Sequence, residues 1–342
     1  MIKADLWKPQ KGSTVQCLVC NHFCLIEPGD LGICGVRENR DGELFSLVGD
    51  NIAALNVDPI EKKPLFHFLP GSLTLSLGTM GCNFSCSFCQ NYTLSQPPKQ
   101  RQFQEGQHIT PDQLLEIARE HRASSISYTY SEPTIFVELV LETARKAKEQ
   151  GLKNTLVSNG FQSPHTLNEL EGLIDAANID LKAFTEDFYQ NHSKARLKPV
   201  LDNLVKIRKM GWWLEVTTLI IPGLNDSRQE LESIADFIVH NLGAHTPWHL
   251  SRFHPTFKLT DRSSTPVETI EKACQIGKEA GLDYVYTGNL PGHDGEHTYC
   301  PGCRQKVISR WGFQIRDVKL KKGACPDCQT QIAGVGMDKI VL

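Results

Sequence analysis

Three cysteines placed just after an apolar strand constrain this chain more than any other feature. Leu73-Thr74-Leu75-Ser76-Leu77 alternates with period two, and Cys82, Cys86 and Cys89 follow in the next turn of chain. Their C-x₃-C-x₂-C spacing, with Phe88 before the last, lets three thiolates hold three irons of a [4Fe–4S] cube. No fourth cysteine follows nearby, so one iron is left open for a ligand from outside the protein, by the logic of an open catalytic metal site. With 12 cysteines in 342 residues, chance supplies about 0.015 such triplets. Zinc is the competing reading, but structural zinc is closed by four ligands, which favours the cube.

The other cysteines fall into two groups, with Cys274 left over as a thiol expected inside a helix. Cys300, Cys303, Cys325 and Cys328 form C-x₂-C…C-x₂-C, close to a zinc ribbon, so structural zinc is expected there and rubredoxin-like iron is the alternative. Cys17, Cys20, Cys24 and Cys34 are less regular; zinc is expected, with an auxiliary iron–sulfur cluster second and His22 as a substitute ligand. Net charge is −3, which gives no nucleic-acid footprint, and no apolar run reaches a membrane span. The first residues lack the apolar core of a signal peptide, so the cytoplasm is expected. In that reducing compartment thiols ligate metals rather than pair.

Between residues 67 and 290, short β-rich runs alternate with amphipathic helices, which implies βαβ units and a parallel sheet. The expected fold is α/β, a partial (β/α)₆-type barrel. A Cys-rich module (1–66) precedes it and a zinc-ribbon-like module (291–342) follows. A doubly wound sheet is the alternative. Barrel active sites lie at the C-terminal strand ends, and those ends are polar here. They carry Glu132, then Ser158 and Asn159, then Asp180 and Lys182, then His249 and Arg252. Lys182, His249 and Arg252 are the candidates for catalysis. Each position also has a plainer reading: a carboxylate at a helix start, a turn, an ion pair, a buried histidine.

Cys82 to Cys89, Tyr128 to Phe136, Ser158-Asn159-Gly160, Ile179 to Phe184, Ile221 to Asp226 and Pro247 to Pro255 together resemble the radical S-adenosylmethionine (SAM) enzymes of the AmmeMemoRadiSam system. These are relatives of the pyruvate formate-lyase activating enzymes. Asp58 to Leu65 and His67 to Ser72 extend the resemblance upstream. The resemblance implies a [4Fe–4S] cluster on Cys82, Cys86 and Cys89, with Phe88 near the SAM adenine. It implies Glu132 at the SAM amino group, at the place of a Gly-Gly-Glu motif whose glycines are Tyr130 and Ser131 here. Asn159, Asp180 and Lys182 surround the methionine moiety, and His249 lies near the ribose or substrate. The implied chemistry is reductive cleavage of SAM to a 5′-deoxyadenosyl radical that abstracts hydrogen from a protein or small molecule. The alternatives are activation of a glycyl-radical enzyme specifically, or a non-enzymatic Cys-rich metalloprotein. The implied partners are a flavodoxin or ferredoxin as electron donor and Memo-like proteins of the same system, with no nucleic acid and no membrane.

Overall fold

Apolar runs separated by amphipathic helices become adjacent parallel strands, because each helix must return the chain to the same end of the sheet before the next strand begins. A computed structural model describes residues 1–340. Its main sheet holds β1 (Ala54–Pro59), β2 (Leu73–Gly78), β3 (Ser125–Tyr128), β4 (Lys153–Ser158), β5 (Ala176–Asp180), β6 (Trp213–Ile220), β7 (Trp248–Arg252) and β8 (Val285–Gly288). They lie in sequence order across the sheet. Strands β2 to β8 pair in parallel. β1 pairs antiparallel with β2 and was not foreseen as part of this sheet. The two edge strands, β1 and β8, do not pair, so the barrel is partial and open.

Helices start where the sequence supplies caps. Thr110 and Gln113 form a reciprocal capping box at the start of Pro111–Glu120, with Pro at the first position. Gly151, at φ +76°, follows the end of Val137–Glu149 in a conformation that favours glycine. The chain after the cysteine loop is polar and carries short elements of its own. It holds short helical turns at Tyr92–Ser95 and Pro97–Gln100, and Gln107–His108 pairs with Asn51–Ile52. No helix among the described residues is long and apolar enough to cross a membrane.

The floor of the barrel is polar and densely hydrogen-bonded. Glu215 on β6 accepts from the backbone N–H groups of Phe66 and His67, from Trp213 Nε1 and, at 2.6 Å, from His249 Nε2. His67 Nδ1 meets the Ala333 carbonyl at 2.6 Å, and Tyr286 OH meets His67 Nε2 at 2.5 Å. The carbonyl requires a proton on Nδ1, and on a neutral ring Tyr286 OH can donate to Nε2. The C-terminal residues close the floor: Arg310 donates to Thr298 Oγ1 at 2.7 Å and to the Phe66 carbonyl at 3.0 Å.

Burial pushes His67 down to about 4. An unfolded histidine titrates near 6.5, so the unfolded chain takes up the proton first as pH falls. Stability from this site is therefore complete above pH ~6.5 and is lost as pH drops through ~4, by about 3 kcal/mol over that window. Thermal melts across the window are expected to slope downward with acid, and His67→Gln to flatten the slope; an unchanged slope would contradict the assignment.

Candidate active site

The cysteine loop hangs from the C-terminal end of β2 and is tied down by backbone. Ser85 N–H donates to the Ser193 carbonyl and Ser87 N–H to the His192 carbonyl, both at 2.9 Å. Lys99 reaches beneath the loop, donating to Ser85 Oγ at 2.6 Å. The three sulfurs have hydrogen-bonding neighbours. Phe84 N–H lies 3.3 Å from Cys82 Sγ, Ser193 Oγ 3.5 Å from Cys86 Sγ, and Ser95 Oγ 3.2 Å from Cys89 Sγ. Burial raises the Cys82 and Cys86 thiols, as it does any thiol taken out of water.

Cys82, Cys86 and Cys89 line one cavity of about 210 Å³ at the C-terminal ends of the strands. Phe88, Glu132, Ser158, Asn159, Asp180 and Lys182 line the same cavity. Four strand ends or the loops after them thus meet where barrel chemistry is built. Lys182 Nζ donates to Asp180 Oδ2 at 2.8 Å and stands 5.8 Å from the Phe88 ring. Burial alone would lower the lysine, but Asp180 beside it holds it well above the ordinary range, so it stays a cation.

Glu132 is fully buried and its carboxylate is spoken for. It accepts from Thr134 N–H and Oγ1, from Ser158 Oγ at 2.8 Å and from Asn159 N–H at 2.9 Å. Burial nevertheless raises its pKa, and these donors pull it back. Glu132 therefore locks the β3 and β4 ends together. Asn159 Nδ2 continues the link to Asn83 Oδ1 at 2.7 Å, next to Cys82. Ser131 lines the cavity with a buried hydroxyl that has no protein partner, so a polar group of a bound molecule has a place to meet it.

His249 and Arg252 do not join this constellation. His249 is the second residue of β7, low in the strand, where it faces Glu215 in the floor. Arg252 Nε turns to the Thr265 carbonyl at 2.7 Å. Sequence reasoning read all of β7 as strand end, whereas the inward-facing residue of its upper half is Ser251, which does line the cavity.

Sequence reasoning also missed what holds Tyr130. This residue sits at φ +65°, in the left-handed region, and is pinned on three sides. Its hydroxyl donates to Asp58 Oδ2 at 2.6 Å, Asn91 Nδ2 donates to its carbonyl at 2.7 Å, and Lys63 Nζ lies 4.8 Å from its ring centre. Asp58 and Lys63 stood within a block the resemblance had picked out, but nothing local tied them to a residue 72 positions away.

Elsewhere the cysteine groups differ in spread. Cys300 Sγ lies 3.4 Å from Cys328 Sγ, and Cys303 Sγ 3.6 Å from Cys325 Sγ. All four sulfurs fall within 4.8 Å of one another; among the described residues no other trio of cysteines does so. The expected zinc geometry is therefore present in the C-terminal group, while among the described residues Cys17, Cys20, Cys24 and Cys34 are not gathered that closely.

Comparison with known proteins agrees with this geometry. The model of the radical SAM superfamily matches residues 77–238. An uncharacterised protein of Methanocaldococcus jannaschii is 42% identical over 97% of this chain and 99% of its own length. The benzylsuccinate synthase activating enzyme of Thauera aromatica is 21% identical over 54% of this chain, which spans 61% of that enzyme. Among solved structures, a radical SAM methyltransferase from Sphaerobacter thermophilus has the same fold, with a TM-score of 0.50 at 17% identity over 67% of this chain and 71% of that one. With its cysteine loop at the mouth of an open α/β barrel, the chain belongs to the radical SAM superfamily, with glycyl-radical activating enzymes among its relatives.

Proposed function

We propose that the cavity binds SAM against a [4Fe–4S] cluster on Cys82, Cys86 and Cys89, and that the enzyme abstracts hydrogen from a protein or small-molecule substrate. Bound there, cluster and SAM supply one-electron cleavage of the C5′–S bond and a 5′-deoxyadenosyl radical; the protein supplies orientation and a dry enclosure. The observation that carries this reading is the convergence of the three thiols with Asp180–Lys182 and Ser158–Asn159 on a single cavity. The donor set fits: three thiols, no fourth cysteine on the cavity wall, and hydroxyl or amide neighbours to tune the sulfurs.

Phe88 offers an apolar face for an adenine. The paired charges of Asp180 and Lys182 suit a zwitterionic amino acid moiety, and Asn159 and the free Ser131 hydroxyl add neutral contacts. Glu132 is a positioning residue that sets Ser158 and Asn159. β1 and β8 do not pair, so the barrel is not closed by hydrogen bonds on that side. Membership in the AmmeMemoRadiSam system, a Memo-like partner, a cytoplasmic setting and reduction by a flavodoxin or ferredoxin rest on the resemblance of the collinear blocks. The division into a Cys-rich module (1–66), a barrel (67–290) and a ribbon (291–342) is part of the same reading.

Anaerobically reconstituted protein given SAM and a strong reductant is expected to form 5′-deoxyadenosine. Its absence from protein verified to carry the cluster would overturn the reading. Zinc belongs at Cys300, Cys303, Cys325 and Cys328, as a folding staple. Cys328→Ser is expected to lose that zinc and several degrees of melting temperature, while surviving folded protein still cleaves SAM; loss of cleavage with unchanged stability would argue against a structural role.

A further inference from the structure

Cys17, Cys20, Cys24 and Cys34 all line one small closed space, walled otherwise mainly by Val19, Ile26, Ile33 and Ile135. Four thiolates at about 2.3 Å from a single zinc are drawn to within about 3.8 Å of one another. The C-terminal quartet has that spacing, at 3.4 and 3.6 Å. Among the described residues, no three of the N-terminal sulfurs come within 4.8 Å of one another, and neither do Cys82, Cys86 and Cys89. The same structure therefore distinguishes two kinds of cysteine group. Thiolates on the outer corners of a [4Fe–4S] cube sit roughly 6 Å apart, so a cube suits cysteines that are not gathered as closely as a zinc quartet.

A second observation is independent of the sulfurs. Arg37 lines this space, is 1% exposed, and has a buried Nε with no partner, although its terminal nitrogens hold Glu138 at 2.7 and 2.9 Å. A cationic edge with an unused donor suits a group that carries negative charge and sulfide acceptors. The space also shares a wall with the first cysteine loop. A Cβ on Gly81 would lie 3.2 Å from the Cys34 carbonyl, and His22 Nε2 is 2.9 Å from the Asn83 carbonyl.

We propose that Cys17, Cys20, Cys24 and Cys34 hold a second [4Fe–4S] cluster, with every iron ligated by protein. Its insertion forms four Fe–S bonds and releases the four thiol protons. With no open iron this cluster binds no SAM; it is a redox or structural neighbour of the first. The inference goes beyond the reading of the SAM cavity and is tested apart from it.

The test is iron, sulfide and zinc content of the full chain after anaerobic reconstitution with iron and sulfide. Wild type is expected to hold about eight irons and the variant Cys82→Ala/Cys86→Ala/Cys89→Ala about four, with matching sulfide. Cys20→Ser/Cys24→Ser is expected to lose the complementary half. If that second variant fails to fold, the triple variant alone decides. A triple variant with two irons or none, or a wild type with zinc in both quartets, would overturn the proposal. Full iron retained in the triple variant, with none lost relative to wild type, would support the second cluster and count against the first.

Discussion

Cys86→Ser is expected to abolish 5′-deoxyadenosine formation while leaving the fold in place. Serine matches cysteine in size, and Cys86 is buried beside Ser193, so the loop keeps its backbone ties to His192 and Ser193. On the proposed cluster the change removes one of three thiolates and leaves two irons without a protein ligand. Two thiolates do not hold the cube, and cleavage is expected to fall roughly a thousand-fold or more, about 4 kcal/mol of barrier. Product analysis with reductant, alongside a thermal melt, checks both halves. Wild-type rates in Cys86→Ser would remove that residue from the cluster.

The largest expected stability effect lies away from the chemistry. Arg37 and Glu138 form a bidentate pair whose side chains are 1% and 6% exposed. Glu138→Ala leaves the guanidinium buried without its counter-charge, which costs about 3–5 kcal/mol, or a fall of roughly 4–7 °C in melting temperature. The pair joins the N-terminal region to the helix Val137–Glu149, so this loss reports on docking as well as charge. The double variant Arg37→Met/Glu138→Leu is expected to recover most of the loss, because two apolar groups remove the uncompensated charge. A Glu138→Ala melt within a degree or two of wild type would sink the argument.

Much of the barrel was legible because its signals are local. Period-two runs, helix caps and the cysteine spacing each lie within a dozen residues, and β2 to β8 appear where those runs stand. Asp180 and Lys182, two apart on one strand, were bound to share a face. Long-range pairings were not legible. Nothing around Asp58 announces Tyr130, and nothing around Arg37 announces Glu138, because the partners lie 72 and 101 residues apart. His249 failed for a subtler reason. An inward-facing strand residue belongs to a particular layer of the barrel, and height along β7 is set by register with Thr217, which sequence alone does not give.

Chain order gives the polar floor a timing. A nascent polypeptide emerges N-terminus first, whereas the groups that seal this floor, Thr298, Arg310 and Ala333, come after the last barrel strand. Until they arrive, His67 and Tyr286 face water, and the Phe66 carbonyl lacks the guanidinium that later stacks 4.4 Å above its own ring. A ribosome that stopped before Arg310 would thus release eight strands around a wet interior. The barrel is a vessel whose bottom is fitted last.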